Sequence, residues 1–178
     1  MSMMARLARL RVFLGFVFGA IVWWSAHPTP GTLAVGAAVA SAGEAIRLWA
    51  AGHLNKSREV TSSGPYRWCA HPLYLGSSVM GVGLAIASGS VLVAVLIALY
   101  LVTTLTAAVR SEEAFLRRTF GDEYVRYRQG DPPGIRTRDE ASVRRRFSVT
   151  QAIANREYRA LIGFLVAVLL LALKATYN

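Results

Sequence analysis

Residues 62–83, SSGPYRWCAHPLYLGSSVMGVG, contain two X-Pro steps directly before an apolar run, and the second step, His71-Pro72, holds a lone histidine. Because Pro72 disfavours the helical region for the residue before it and suits the first helical position, we expect His71 at the N-terminal edge of a helix. Unpaired backbone N–H groups and the positive end of the helix dipole meet at such an edge. The sequence therefore predicts a site that favours a carboxylate or another anionic group.

The helix that follows carries few large side chains on one face. Its small residues are Gly76, Ser77, Ser78, Gly81 and Gly83. Such a face suits close packing against another helix, and it equally suits a flat ligand that lies against the backbone. The pattern of this helix alone favours packing, and the ligand interpretation stays open.

Two adjacent carboxylates, Glu112 and Glu113, end a later apolar run. If 73–109 forms a helical hairpin, they lie close to the start of the helix after His71. They could form a surface pair, with Glu113 and Arg117 at i,i+4. They could equally hold a cation beside the histidine, and the residues leave both interpretations open.

Glu44 and Arg47 stand inside another apolar run, VASAGEAIRLWAAGHLNK. Ionisable residues at membrane depth are costly and usually face a protein interior or a cavity. Their i,i+3 spacing allows a structural pair that neutralises itself. Alternatively, they line the same cavity as His71.

The elements that position these residues are apolar runs. Of the 178 residues, 54% are hydrophobic and 17% are charged, which is too apolar for an ordinary soluble domain of this size. We expect an all-α, polytopic membrane protein with about five transmembrane helices. One domain over 1–178 is expected, because no Gly-, Ser- or Pro-rich linker divides the chain. The predicted spans are 12–26, 32–51, 73–88, 91–109 and 159–173.

The net charge of +10 predicts topology. With a cytoplasmic N-terminus and five spans, 18 of the 20 Lys and Arg residues lie on the cytoplasmic side, as the positive-inside rule requires. The basic balance thus needs no nucleic-acid partner, and it favours contact with anionic membrane lipids. We expect an integral protein of a bacterial inner membrane, with the cofactor pocket on its cytoplasmic side.

The segment 110–158 is the long cytoplasmic connection in this topology. Its first part predicts a span that continues into the cytoplasm, a break at Gly121, and then an amphipathic helix that ends before Pro132-Pro133. The basic stretch 134–158 is either a helix facing headgroups or a flap that binds substrate or lipid.

Taken together, these residues resemble the membrane methyltransferases of the isoprenylcysteine carboxyl methyltransferase and phospholipid methyltransferase type. The resemblance covers about half of the chain, from GEAIRLWAAGHLNKSREVTSSGPYRWCAHPLYLG through SEEAFLRRTFGDEYVRY, or 43–127. The family pattern is GPY, then RHPxYxG and GxG, and later EE followed by FGxxYxxY. This chain departs from it at Ala70, where the family has arginine, and Arg67 is the candidate replacement.

The resemblance implies S-adenosylmethionine as cofactor, with no metal. The cofactor-binding residues that it implies are His71, Tyr74, Gly76, Gly81, Gly83, Glu112 and Glu113. It names no catalytic residue, and the candidates are Glu44, Arg47, Arg67 and Tyr127.

The predicted function is methyl transfer from S-adenosylmethionine to a lipophilic small molecule or lipid at the cytoplasmic membrane face. The acceptor group is a carboxylate, thiol, amine or hydroxyl. Two other functions stay open: an NADPH-dependent membrane reductase of the sterol-reductase type, and a membrane scaffold subunit without catalytic activity. The sequence leaves the oligomeric state undefined.

Overall fold

The computed structural model describes residue 17 and residues 19–55, 60–129 and 146–177. Every regular element in these ranges is helical and none is a strand, so the all-α prediction is confirmed. Residues 19–25 are helical and precede the main elements. The helices are α1 (Pro30–His53), α2 (Pro72–Ser88), α3 (Val91–Phe120), α4 (Asp122–Arg128), α5 (Val149–Ala154) and α6 (Tyr158–Tyr177), with a 3₁₀ turn at Gly64–Arg67 between α1 and α2.

Three of these helices, α1, α3 and α6, are long and apolar enough to cross a membrane, judged by length and composition. Helix α2 is apolar but has only 17 residues. Of the first predicted span, 12–26, residues 12–16 and 18 lie outside the described residues. The prediction of a polytopic membrane protein is thus confirmed, while the number five stays a prediction.

Helix boundaries follow local signals in the sequence. Helix α1 begins with a capping box, in which the Thr29 side chain accepts a hydrogen bond from the Thr32 amide and Pro30 takes the first helical position. The α2–α3 hairpin turns at Gly89, whose φ of 61° is the left-handed conformation that glycine tolerates. A side chain at Gly89 would also collide with the His27 carbonyl oxygen, 2.3 Å from the Cβ position.

Helices α1 and α2 pack backbone to backbone. A Cβ atom at Gly83 would lie 2.2 Å from the Ala40 amide nitrogen, and one at Gly43 would lie 2.3 Å from that of Met80. No real Cβ atom comes this close to backbone, so only glycine allows the approach. Where α2 meets α1, the small residues of α2 therefore serve close helix packing, as the pattern of this helix predicted.

Helix α3 continues past the apolar run and ends at Phe120. Gly121, with a φ of 49°, breaks the helix, and α4 starts again at Asp122. The predicted continuation, break and second helix are confirmed. His71 at the start of α2 and the two glutamates of α3 meet at one end of the bundle, which we call the His71 end.

Candidate functional site

The 3₁₀ turn with the sequence GPYR lies shortly before His71 and leads the chain into α2. Gly64 has a φ of 58° and leaves room for the His53 ring, which lies 2.6 Å from where a Cβ would stand. After this turn, His71 forms the N-cap residue of α2, with Pro72 in the first helical turn. The predicted position of His71 at a helix N-terminus is therefore observed.

The imidazole of His71 lies between Glu112 and Glu113. Its Nδ1 atom is 3.5 Å from Glu112 Oε2, and its Nε2 atom is 3.5 Å from Glu113 Oε1. The side chains of these two glutamates are 37% and 25% exposed. Residues about 40 positions apart thus converge, and the carboxylates stay within reach of solvent and ligand.

The electrostatics favour a charged histidine. Hydrogen bonding to Glu112 raises the pKa of His71 above its ordinary value, and Glu113 adds to the effect. Partial burial of the ring acts in the opposite direction and is the weaker influence. The two carboxylates therefore favour the charged form of the imidazole.

A second positive group approaches Glu113 from α4. The Nη2 atom of Arg128 lies 3.6 Å from Glu113 Oε1, so this carboxylate faces both α4 and His71. Glu113 therefore lies inside a charge network, which the surface-pair interpretation with Arg117 did not include.

Three tyrosines frame this network. The ring of Tyr74 stacks on that of His71, with centroids 5.6 Å apart. The Tyr127 hydroxyl donates to the Tyr66 carbonyl oxygen at 2.7 Å and so holds α4 against the GPYR turn. Burial raises the pKa of Tyr127 to about 12, so at neutral pH this hydroxyl is protonated and acts as a donor. The sequence suggested Tyr127 as a catalytic candidate. In the structure, its hydroxyl binds the backbone of the GPYR turn and so positions that turn.

The intramembrane pair of α1 belongs to a larger cluster. Arg47 Nη2 lies 2.7 Å from Glu157 Oε1, and Arg47 Nε lies 3.6 Å from Glu44 Oε2. Arg47 Nη1 also donates to the Ser77 hydroxyl and, at 3.5 Å, to the Leu73 carbonyl. Glu44 and Arg47 do form an ion pair, as the structural interpretation expected. Arg47 also contacts the first turns of α2, close to His71, as the shared-cavity interpretation expected.

The glycines assigned to the cofactor lie against protein. A Cβ at Gly76 would meet Arg47 Cγ at 2.6 Å, and one at Gly81 would meet Leu101 Cδ1 at 2.4 Å. Gly83 faces α1, as described above. At all three glycines, atoms of a neighbouring helix fill the space that a side chain would take. Contact of these glycines with a cofactor stays a prediction.

Sequence reasoning missed two contributors. Glu157 is the lone acid of NREYR at the border of the last apolar run, and that isolation was a usable signal. Arg128 lies in α4, and only the break at Gly121 turns this helix so that Arg128 reaches Glu113. Arg67, the candidate replacement for the family arginine at Ala70, lies exposed in the 3₁₀ turn.

Comparison with known proteins identifies the class. The model of the phospholipid methyltransferase family matches residues 31–123, slightly more than half of the chain. The chain belongs to this family, and the resemblance predicted from the motifs is confirmed.

Particular relatives come from bacteria and yeast. The chain is 33% identical over 119 residues to the nickel-cobalt-cadmium resistance protein NccN of Alcaligenes xylosoxydans xylosoxydans, with 65% of this chain and 56% of that protein covered. It is 30% identical over 123 residues to the cobalt-zinc-cadmium resistance protein CzcN of Cupriavidus metallidurans, covering 68% and 56%. It is 31% identical over 98 residues to protein-S-isoprenylcysteine O-methyltransferase of Schizosaccharomyces pombe, covering 55% and 42%.

The chain thus spans about half the length of the curated relatives that it matches. No solved structure matches it. Within the ranges that the structure describes, no group of three or more His, Cys, Asp or Glu side chains could hold a metal ion.

Proposed function

We propose that the protein transfers a methyl group from S-adenosylmethionine to a lipophilic acceptor that enters from the bilayer, at the His71 end of the bundle. The observation that carries this proposal is the convergence of His71, Glu112 and Glu113 at the N-terminus of α2. Membership of the phospholipid methyltransferase family and similarity to an isoprenylcysteine O-methyltransferase support the reaction class.

The residues at this end fit the polar groups of the cofactor. The carboxylates of Glu112 and Glu113 suit an ammonium group, and the backbone N–H groups at the start of α2 suit a carboxylate. Tyr124 is 1% exposed, and its hydroxyl has no hydrogen-bond partner among the described residues. A buried hydroxyl of this kind normally has a partner, and a polar ligand group beside Glu113 would provide one.

The chemistry asks little of the protein beyond placement. When bound, S-adenosylmethionine supplies a methyl group activated on a sulfonium. His71 and the two glutamates fix the orientation of the amino-acid portion, and Tyr127 holds α4 over the GPYR turn. Transfer to an anionic acceptor removes charge, so a site that excludes water and holds its dipoles fixed favours the step.

The surroundings of the site support a lipophilic acceptor. Helices α3 and α6 bury few of their residues inside the protein, and large apolar side chains such as Leu99, Val102 and Leu165 point outward. An apolar substrate can reach the His71 end along these surfaces without leaving the bilayer. We expect the acceptor group to be a carboxylate, thiol, amine or hydroxyl on a lipid or isoprenoid.

The site is expected at the cytoplasmic face of a bacterial inner membrane. The positive-inside rule supports this orientation, because the segments at the His71 end are the basic ones. A membrane-impermeant thiol reagent applied to inside-out and right-side-out vesicles tests it through a cysteine introduced at position 178. Labelling of that cysteine from the cytoplasmic side alone would contradict a five-span topology with a cytoplasmic N-terminus.

The function is tested by ligand binding to the purified protein in lipid nanodiscs. Thermal unfolding is compared without ligand, with S-adenosylmethionine, with S-adenosylhomocysteine and with NADPH. The proposal predicts stabilisation by the first two ligands, saturable with concentration. Stabilisation by NADPH alone would favour the reductase, and no response to any of them would favour the scaffold.

A further inference from the structure

The buried cluster Glu44–Arg47–Glu157 contains two acids and one base. Glu44 is 5% exposed and Glu157 is 6% exposed, and they come from α1 and from the turn before α6. Gly76 of α2 makes room for Arg47, since a Cβ there would meet Arg47 Cγ at 2.6 Å. The cluster thus joins three helices around a single guanidinium.

The two carboxylates are not equivalent partners of Arg47. Glu157 Oε1 makes the close ion pair, at 2.7 Å from Nη2. Glu44 Oε2 stands 3.6 Å from Nε, and both oxygens of Glu44 are buried without a hydrogen-bond partner among the described residues. Glu157 Oε1 and Arg47 Nε are also buried without a hydrogen bond among these residues, but Glu157 Oε1 keeps its short ion pair with Nη2. A further nitrogen of Arg47, Nη1, donates hydrogen bonds to Ser77 and Leu73 of α2. Glu44 is therefore the less compensated of the two acids.

Counting charge leaves the cluster one positive charge short. With both acids ionised, its net charge is −1 in a region where an unpaired charge is costly. The charged groups that act on Glu44 are Glu157, from the turn before α6, and Arg47, on its own helix. From α2, the facing group next to Arg47 is the uncharged Ser77 hydroxyl.

We propose that the Glu44–Arg47–Glu157 cluster is a buried binding site for one proton, carried by Glu44 in the folded protein at neutral pH. The proton makes the cluster neutral and leaves Glu157 ionised against Arg47. This proposal concerns the span region and does not depend on the proposed methyl transfer.

Infrared spectroscopy detects the proton directly. The protein is labelled with ¹³C at its glutamate side-chain carboxyl groups and studied in a maltoside detergent, which has no carbonyl of its own. The carbonyl stretch of a protonated carboxyl is separated from the carboxylate bands. At pH 7 the proposal predicts such a band from one of the seven glutamates.

Three variants test the charge count. Glu44→Gln should abolish the band, and Glu157→Gln should abolish it too, because Glu44 then becomes the only anionic partner of Arg47. Glu123→Gln, at an exposed position of α4, is the matched control and should leave the band unchanged. If one of the two cluster variants fails to fold, the other makes the same prediction.

Two outcomes would overturn the proposal. The first is a folded wild-type protein with no protonated glutamate at pH 7. The second is a band that survives in a folded Glu44→Gln or Glu157→Gln variant. The band should be the same in choline chloride and in sodium chloride. If the band disappears in sodium chloride, a sodium ion and not a proton balances the charge of the cluster, which would also overturn the proposal.

Discussion

The two ionic clusters of this protein use the same side-chain chemistry under different solvation. At the His71 end, carboxylates that are 25% and 37% exposed surround one imidazole. In the span region, carboxylates that are about 5% exposed surround one guanidinium. An exposed cluster can exchange one of its ions for a ligand at little cost, whereas a buried cluster must stay internally balanced. From this comparison we expect the first cluster to bind a ligand and the second to hold the helices together.

The comparison is tested most strongly at Arg47. Replacing it by methionine keeps most of the volume but removes the cation that pairs with both Glu44 and Glu157. Breaking a buried pair in this way costs about 3–5 kcal/mol. The midpoint of unfolding by sodium dodecyl sulfate should fall strongly for Arg47→Met and little for Arg117→Met, a control on the exposed end of α3. Equal stability of the two variants would show that the buried cluster is not cohesive.

The glycine contacts are expected to rank second. A Cβ at Gly83 would stand 2.2 Å from the Ala40 amide nitrogen, so Gly83→Ala must push α1 and α2 apart. Overpacking of this kind costs about 1–3 kcal/mol. Gly163→Ala in α6 is the control, because no atom lies within 4 Å of its Cβ position, and alanine should there be neutral or stabilising. If Gly83→Ala unfolds like Gly163→Ala, the close approach of the two helices is wrong.

A smaller change is expected at Tyr127. Removing its hydroxyl deletes the hydrogen bond to the Tyr66 carbonyl, which is worth about 0.5–1.5 kcal/mol. Amide hydrogen exchange should increase in α4 and in the GPYR turn of Tyr127→Phe, while α1 keeps its protection. Faster exchange throughout the bundle would contradict a role confined to positioning.

The sequence was informative where a local signal determines the structure. Pro72, Gly89 and Gly121 define where helices begin and end. The apolar runs predicted α1, α2 and α6 within a few residues, and they predicted the start of α3. The family motifs also predicted that His71, Glu112 and Glu113 lie at one site, and these residues are in contact in the structure. These features follow from short stretches of chain, and their physical causes are backbone conformation and hydrophobic length.

Long-range pairing was harder to predict. Glu157 lies more than 100 residues from Arg47. Its isolation among basic residues marks it as unusual, but a weakly periodic stretch does not specify which residue it pairs with. The glycines of α2 were ambiguous for a different reason, because a bare helix face looks the same whether a helix or a ligand covers it. Only the position of α1 distinguishes the two possibilities.

The smallest expected effect is the pH dependence of the exposed cluster. The folded-state pKa of His71 is raised, so its contribution to stability is complete below the unfolded value of about 6.5 and is lost as pH rises through the folded value. The unfolding midpoint should therefore decline in this window for the wild type and for His27→Gln. The decline should be reduced in His71→Gln, and an unchanged profile there would mean that the carboxylates do not hold a charged histidine.

The central claim is that the exposed cluster binds S-adenosylmethionine, and calorimetric titration of the wild type and three variants tests it directly. One carboxylate of the pair should hold the ligand ammonium, and a charged hydrogen bond contributes about 1.5–3 kcal/mol. Glu113→Gln should therefore weaken binding by about ten- to a hundredfold, Glu112→Gln by less, and the exposed control Glu123→Gln not at all. Wild-type affinity in folded Glu112→Gln and Glu113→Gln variants would contradict the assignment of this site.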